Sequence, residues 1–201
     1  MKNLMIYLTL VMLVGLPFIG IAEVTIAATV SGKTITLSFQ ETSQSVSQNA
    51  LLSLDRQKVV LKDKAGYILY QESVSTNYTP EKNYNLKELP NGEYVFVIYD
   101  KLKVTLKPFT IVGDKIALMD ETRIFKPTTT LRDNVVIFNL LAFRKPVNVI
   151  IMDAYGEELY SEVFENKNSI GKRFDFSTAP NGTYTITTVV ENQYFTEDIK
   201  I

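Results

Sequence analysis

The sequence contains no histidine, no cysteine and no tryptophan in its 201 residues. The absence of cysteine excludes disulfides, thiolate zinc sites and cysteine nucleophiles, and the absence of histidine excludes every histidine-dependent acid-base arrangement. The sequence also lacks a Gly-x-Ser-x-Gly motif, a Ser-x-x-Lys motif and a glycine-rich phosphate loop. We therefore predict that the protein is not an enzyme and that it has no catalytic residues, no metal site and no cofactor.

Neither sign of charge is in excess, since 21 basic residues stand against 22 acidic ones. A balanced charge gives no reason to expect nucleic acid or a strongly anionic membrane as a partner. The acidic pairs Asp120-Glu121 and Glu157-Glu158 are neighbours in sequence, and side chains of neighbours diverge in a strand or a turn. We expect these carboxylates to be solvated rather than to face one substrate.

The N-terminus has the pattern of a secretory signal peptide. A basic residue near the start is followed by the apolar, uncharged residues 4–18 and then by small residues. We predict a signal peptide over residues 1–22 with cleavage after Ala22, and Ala27 or Ala28 as later alternatives. The membrane is then a partner only before cleavage, and the protein is secreted, at the cell surface or periplasmic. The remaining alternative is an uncleaved N-terminal anchor.

Two parts of the chain read as copies of one unit. Residues 58–111 aligned without gaps on residues 148–201 give 12 identities in 54 positions, against about three for unrelated chains of ordinary composition. Matches at the constant offset of 90 include Asp63/Asp153, Gly66/Gly156, Leu69/Leu159, Tyr70/Tyr160, Glu72/Glu162, Pro90/Pro180, Asn91/Asn181, Gly92/Gly182 and Tyr94/Tyr184. We therefore predict an internal duplication.

Each copy is a series of short strands separated by turn residues, with no long helix. The predicted strands are residues 24–30, 34–39, 58–62, 67–74, 84–86, 94–99 and 104–112, then residues 123–125, 135–141, 147–152, 158–164, 173–176, 184–190 and 195–201. About seven strands per copy is typical of an immunoglobulin-like sandwich. We predict an all-β protein of two tandem immunoglobulin-like or fibronectin-III-like β-sandwich domains, over residues 23–113 and 114–201.

Two Asp-x-x-Gly segments, Asp63 to Gly66 and Asp153 to Gly156, lie between predicted strands. Aspartate at the first turn position caps backbone N–H groups, and glycine at the fourth accepts a positive φ. The alternative is a calcium loop, since two glutamates follow the second segment. The first segment is followed by tyrosine and isoleucine instead, and this favours two structural hairpin turns.

A second repeated motif, Pro-Asn-Gly-x-Tyr, combines a fixed φ at proline with two residues that tolerate positive φ. We predict structural turns in which the glycines adopt positive φ, so that a side chain there is strained. In immunoglobulin-like sandwiches a tyrosine at this corner packs its ring in the core and returns its hydroxyl to nearby backbone. The predicted turn residues are Asn91, Gly92, Asn181 and Gly182, and the predicted corner tyrosines are Tyr94 and Tyr184.

Exposed aromatic side chains are the remaining candidates for binding. Tyrosine offers a large apolar ring that stacks on sugars or anchors a protein partner. The candidates are Tyr67, Tyr78, Tyr99, Tyr155 and Tyr194.

The second copy combines Asp153-x-x-Gly156, the segment Phe174-Asp175-Phe176-Ser177 and Pro180-x-Gly182-x-Tyr184. With this pattern it resembles the C-terminal sorting domains of proteins exported by the type IX secretion system of Bacteroidetes, and small secreted two-domain proteins of unknown function from the same bacteria. The resemblance implies a sandwich whose last strand is presented to the export machinery. The residues of that sorting strand would be Tyr194, Phe195, Ile199, Lys200 and Ile201.

Taken together, these patterns favour an exported, non-catalytic structural or binding module of the cell envelope or surface. Its expected partners are the export machinery or a surface protein or glycan, and not nucleic acid. The alternative is a periplasmic or secreted glycan-binding or protein-binding protein with no sorting role.

Overall fold

A computed structural model describes residues 23–42, 56–75 and 81–201. The predicted signal peptide, residues 1–22, and the candidate Tyr78 lie outside the described residues. In the described ranges the regular elements are strands. None of these residues belongs to a helix that is long and apolar enough to cross a membrane.

The chain divides into two compact units between Arg123 and Ile124. The strands of the first unit are β1 (Glu23–Ser31), β2 (Thr34–Thr42), β3 (Arg56–Asp63), β4 (Ile68–Ser75), β5 (Glu81–Asn85), β6 (Gly92–Tyr99), β7 (Lys103–Val112) and β8 (Lys115–Leu118). Strand β9 (Thr122–Phe125) spans the division. The strands of the second unit are β10 (Thr128–Arg132), β11 (Val135–Leu141), β12 (Val147–Met152), β13 (Glu158–Phe164), β14 (Ser169–Asp175), β15 (Thr183–Val190) and β16 (Gln193–Lys200).

The two units share one strand order, except that the first unit carries the additional strand β8 and that β9 also pairs with β7. In the first unit one sheet runs β1-β2-β5 and the other runs β4-β3-β6-β7-β8. In the second unit the corresponding sheets run β10-β11-β14 and β13-β12-β15-β16. All of these pairings are antiparallel. Two such sheets in each unit form an immunoglobulin-like or fibronectin-III-like β-sandwich, so the prediction of two tandem sandwiches is confirmed.

The core of the first unit lies between its two sheets, because strands alternate side chains between their two faces. On β6, Tyr94, Phe96 and Ile98 are buried, as the alternation predicts. The ring of Phe96 lies 4.8 Å from that of Tyr84 on β5, in the other sheet, and 5.5 Å from that of Phe109 on β7. The contact of Phe96 with Tyr84 joins the two sheets, and its contact with Phe109 packs neighbouring strands of one sheet.

The core of the second unit follows the same rule. On β15, Tyr184, Ile186 and Thr188 are buried and alternate with the partly exposed Thr185 and Thr187. These two threonines face outward between buried neighbours, as the alternation of side chains along a strand requires. A strand with this alternation packs one face against the opposite sheet and leaves the other face wet.

A β-bulge recurs at the same position of each copy. The β3–β4 register shifts between Leu61 and Lys62, and the β12–β13 register shifts between Ile151 and Met152. These positions are separated by the same offset of 90 residues as the sequence matches. Bulges bend a strand and pin its register, so the duplication extends to the irregular features of the backbone.

The observed organisation differs from the prediction in the connection between the units. Strand β8 pairs with β7, so the residues from Asp114 to Arg123 belong to the first unit and the division lies later than the predicted boundary. The predicted first strand of the second domain, residues 123–125, lies in β9, which pairs with β7 and is therefore not the first strand of the second sandwich. The first strand of the second sandwich is instead β10, which pairs with β11. Strands β8 and β10 are absent from the prediction.

Candidate functional site

The Asp-x-x-Gly segments form tight hairpin turns. In the first, the Gly66 N–H donates to the Asp63 carbonyl at 3.0 Å and the Tyr67 N–H donates to Asp63 Oδ1 at 2.9 Å. In the second, the Gly156 N–H donates to the Asp153 carbonyl at 3.1 Å. Both glycines have positive φ, at 89° and 81°. The aspartate carboxylates therefore act as caps for backbone N–H groups. No cluster of three or more acidic residues suited to a metal ion occurs in the part of the chain that the structure describes.

The Pro-Asn-Gly-x-Tyr segments form matching corners. The Tyr94 hydroxyl donates to the Pro90 carbonyl at 2.8 Å, and the Tyr184 hydroxyl donates to the Pro180 carbonyl at 2.7 Å. Both rings are buried. The hydroxyl thus satisfies a backbone carbonyl at the turn while the ring fills the core, which is a structural role.

The glycines of these corners differ from the prediction. Neither Gly92 nor Gly182 has a positive φ. The reason is that Gly92 is already the first residue of β6 and pairs with Ile111, while the backbone of Gly182 exchanges two hydrogen bonds with Ile201. The prediction of strain at positive φ is therefore wrong for these two glycines. The neighbouring Asn91 and Asn181 are exposed, and Asn91 Oδ1 accepts the Gly113 N–H at 2.8 Å.

The predicted solvation of the acidic pairs is wrong for Glu121. Its carboxylate forms an ion pair with the buried Lys107 and a second with Arg123, whose Nε lies 2.7 Å from Oε1. Burial alone would raise the pKa of Glu121, but the hydrogen bonds and positive charges of Lys107 and Arg123 bring that pKa below its usual range. Glu121 is thus a structural anchor in the first unit.

An ion pair recurs in the two copies and was not predicted. Lys82 Nζ lies 2.9 Å from Glu72 Oε2, and Lys172 Nζ lies 2.9 Å from Glu162 Oε2. In each unit the glutamate is on an outer strand of one sheet and the lysine is on an outer strand of the other. The pair therefore closes one open side of each sandwich. Its sequence signal was available, because Lys82 and Lys172 share the offset of 90.

A tyrosine completes this cluster in the second unit. The Tyr160 hydroxyl donates to Glu162 Oε2, and its ring lies 5.1 Å from that of Phe174 in the opposite sheet. Burial, together with the Glu162 carboxylate, raises the pKa of Tyr160. Burial also acts to raise the pKa of Glu162, but the hydrogen bonds from Lys172 and Tyr160 and the Lys172 charge lower it overall.

Replacing Glu162 by glutamine should make the protein less acid-sensitive. A carboxyl whose pKa is lowered by folding stabilises the protein above its unfolded pKa, near 4.5, and this contribution is lost as the pH falls through the folded pKa. The pair is partly exposed, so we expect a loss of less than about 1 kcal/mol at pH 7 that shrinks toward pH 3. Urea unfolding of both proteins at the two pH values measures this difference. An equal loss of stability at pH 7 and at pH 3 would show that the Glu162 carboxylate does not stabilise the fold through its ion pair.

An unbroken run of apolar side chains is exposed at an outer strand of the first unit. Tyr67 is 73% exposed, Ile68 57%, Leu69 43% and Tyr70 45%. Among the described strands, β4 pairs only with β3, so this run lies at a sheet edge with backbone groups that no described strand pairs. In the second copy the positions of Tyr67 and Ile68 are occupied by glutamates. The exposed run is therefore particular to the first unit; we call residues 67–70 the β4 patch.

The other candidate tyrosines are dispersed. Tyr155 and Tyr194 are strongly exposed in the second unit. Tyr99 is partly buried in β6, and its burial raises the pKa of its hydroxyl. Of the candidate tyrosines that the structure describes, only Tyr67 lies in an apolar run of several exposed side chains, so the β4 patch is the stronger candidate for a binding surface.

A cleft of about 340 Å³ lies in the second unit between β16 and the start of β10. Its lining includes the buried Phe138, Ile186 and Thr188 and the exposed Tyr194 and Glu197. The Oγ1 atom of Thr188 is buried and has no hydrogen-bond partner among the described residues. A buried hydroxyl without a partner is costly, so Thr188 is an unsatisfied polar residue in the wall of the cleft.

The residues assigned to a sorting strand do not share one environment. Tyr194 and Lys200 are exposed, Phe195 is half-buried, and Ile199 is buried. The backbone of Ile201 is bonded to that of Gly182. Strand β16 is thus an integral part of the sheet, with Tyr194 and Lys200 on its surface.

Comparison with known proteins yields structural similarity alone. No family model matches the chain, and no curated protein matches it. The segment of two fibronectin type III domains from chicken tenascin is 10% identical, with 90% of this chain and 98% of that chain covered and a TM-score of 0.30. The chicken CNTN1 FN1–FN3 domains are 11% identical, with coverages of 87% and 62% and a TM-score of 0.27. A biofilm associated protein BSP domain is 10% identical, with coverages of 88% and 29% and a TM-score of 0.27.

Proposed function

We propose that the chain is an exported, non-catalytic module that binds a partner protein at the cell envelope or surface through the β4 patch. The tandem sandwich fold supports a structural or binding role, since this fold recurs in many cell-surface domains. The lack of histidine and cysteine throughout the sequence supports a role without catalysis. The observation that carries the proposal is the run of four exposed apolar residues on an outer strand.

The β4 patch has the composition of a protein-binding surface. Tyrosine is enriched among the residues that dominate interface energies, because its ring buries a large area and loses little conformational entropy. An exposed apolar edge strand also pairs readily with another chain, so native proteins usually blunt such edges with charge. The second copy does so with Glu157 and Glu158, whereas the first copy keeps Tyr67 and Ile68. The first unit therefore keeps apolar residues at a sheet edge where the second unit has charged residues.

A photo-crosslinking residue at Leu69 tests the proposal in intact cells. We expect one crosslinked protein adduct, and we expect the double substitution Tyr67→Glu and Ile68→Glu to reduce it more than about tenfold, because two interface anchors are lost. The double substitution should leave the fold intact, since the second copy carries glutamates at both positions. Circular dichroism checks this.

The matched control places the crosslinker at Leu159, the same position in the second copy. No adduct is expected there. An equal adduct at Leu159, an adduct that survives the two glutamates, or no adduct at Leu69 would overturn the proposed site.

Cell fractionation with mass measurement of the mature ends tests export separately. We expect cleavage after Ala22 and recovery outside the cytoplasm. An intact N-terminus in the cytoplasm would contradict export.

A sorting role for the second unit is a second candidate function. It is supported by the resemblance of the second copy to type IX sorting domains and by the exposure of Tyr194 and Lys200 on β16. Exchange of both residues for alanine leaves the buried Ile199 in place, so the sandwich is retained. Accumulation of this variant in the periplasm would support sorting, and unchanged localisation would rule it out.

A further inference from the structure

In the first unit, the outer edge of β7 is covered by the chain that follows it. Strand β8 pairs antiparallel with the end of β7, from Phe109↔Leu118 to Val112↔Lys115. The backbone pairing continues beyond β8, because the Met119 N–H donates to the Pro108 carbonyl at 2.9 Å. We call residues 115–123 the covering segment. It satisfies backbone groups that an outer strand otherwise leaves unpaired.

A buried ion pair anchors the covering segment to β7. Lys107 on β7 is 8% exposed, and its ammonium group pairs with Glu121 of the covering segment. Arg123 of the same segment holds the other oxygen of Glu121 at 2.6 Å. The covering segment is therefore fixed by strand pairing with β7, through β8 and again through β9, and by a carboxylate placed against the β7 lysine.

Strand β16 is the counterpart of β7 in the second unit. Lys107 is opposite Phe96 on β6, and Glu197 is opposite Ile186 on β15, so the two strands have the same register in their sheets. In the described part of the chain β16 pairs with β15 alone. The edge that is covered in the first unit is therefore not covered by any described strand in the second, and the position that corresponds to Lys107 carries an acid in place of a lysine.

The uncovered edge adjoins the cleft of the second unit. Glu197 and Tyr194 of β16 line this cleft together with Thr188, whose Oγ1 is buried without a hydrogen-bond partner among the described residues. The corresponding residue in the first unit is Ile98, which has no such group. The second unit thus combines unpaired strand backbone, an acidic anchor position and an open cavity at one place.

We propose that the outer edge of β16 accepts an extended strand from a partner protein, with a lysine or arginine of that strand paired to Glu197. The mode of binding is strand addition to a sheet edge, and the covering segment on β7 is its internal example. Glu197 stands where the first unit has Lys107, so the residue of the partner strand that pairs with it must be positively charged. A second copy of β16 is a poorer occupant, because Glu197 and Asp198 of two such strands would bring like charges together. This surface is independent of the β4 patch.

A peptide derived from the covering segment tests the proposal. The probe is KIALMDKTR, the sequence of residues 115–123 with Glu121→Lys, and its comparison is the native KIALMDETR. Titrated into the isotope-labelled whole chain, the lysine peptide should shift the amide resonances of β16 and the cleft. It should bind about two- to fivefold more tightly than the native peptide, which is the effect of one partly exposed ion pair.

The substitution Glu197→Lys should reverse this preference, so that the native peptide binds more tightly. The matched control is Glu158→Lys, which makes the same change of charge at the opposite edge of the same sheet and should leave the preference unaltered. Resonance shifts outside the second unit, no shifts at millimolar peptide, or a preference indifferent to residue 197 would overturn the proposal. So would dimerisation through β16 in sedimentation, since the occupant would then be a second copy.

Discussion

Replacement of Phe109 by alanine is expected to lower the free energy of unfolding of the first unit by about 3–5 kcal/mol. Phe109 is fully buried on β7, and its ring lies 5.6 Å from that of Tyr94 and 5.5 Å from that of Phe96. Truncation removes the contacts of a whole ring and leaves a cavity that the two sheets can fill only in part. Since a domain is stable by about 5–15 kcal/mol, this is the largest single effect that we expect.

Urea unfolding followed by circular dichroism measures the loss, with the data fitted to one transition for each unit. The matched control is Val112→Ala on the same strand, where the side chain is 70% exposed. This change should stay within about 0.5 kcal/mol. A loss below about 1 kcal/mol for Phe109→Ala would show that β7 does not pack against the core as described.

Replacement of Gly156 by valine should cost about 1–2 kcal/mol or more. Gly156 has a φ of 81° in the β12–β13 turn, and an L side chain in this left-handed region is strained, most of all a β-branched one. The control is Gly182→Val: this φ is not positive, and a Cβ there has no atom within 4 Å. It should cost less than about 0.5 kcal/mol.

The midpoint of urea unfolding of each variant measures the difference, and the first copy offers an independent pair. Gly66→Val, at a φ of 89°, should be destabilising. Gly92→Val should cost less, because its Cβ would meet the Tyr94 ring at an ordinary 3.5 Å. Equal costs for the two members of either pair would show that backbone conformation does not decide the requirement for glycine.

Much of the strand pattern could be predicted because the duplication and the alternation of side chains agree. Strands β12 and β13, which lie on either side of the Asp153–Gly156 turn, have the predicted bounds. The turn motif and the apolar residues on both sides of it were the basis of that prediction. The offset of 90 then identifies the corresponding strands of the first copy. Local turn chemistry and side-chain period are short-range properties, and a sequence shows them directly.

Strand β8 could not be predicted in this way. Its four residues, Lys115–Leu118, are too few for a convincing period, and they form a strand because the edge of β7 is available beside them. The φ of Gly92 has a similar origin, since an Asn-Gly pair is compatible both with a turn and with the start of a strand. In both cases the neighbouring strand decides the conformation, and propensity alone does not.

The candidate surfaces also depend on tertiary neighbours. The exposure of Tyr67 and Ile68 follows from the position of β4 at the end of its sheet, which sequence alone does not give. The sequence does single out both partners of the ion pair between Glu162 and Lys172, because each residue is repeated at the offset of 90. What the sequence does not show is that β13 and β14, in different sheets, bring the two side chains together.

The tight Asp-x-x-Gly turns have a consequence for how a duplicated chain reaches its native state. Both copies keep the same bulge and register. During folding, β3 could therefore pair incorrectly with β13 of the other copy instead of with β4, its native partner. A native hairpin closes a loop of a few residues, whereas the exchanged pairing must close one of about ninety, and the longer closure costs more entropy and takes longer. The native hairpins therefore form first, and the strands of each copy are already paired with one another before pairing between the copies can occur.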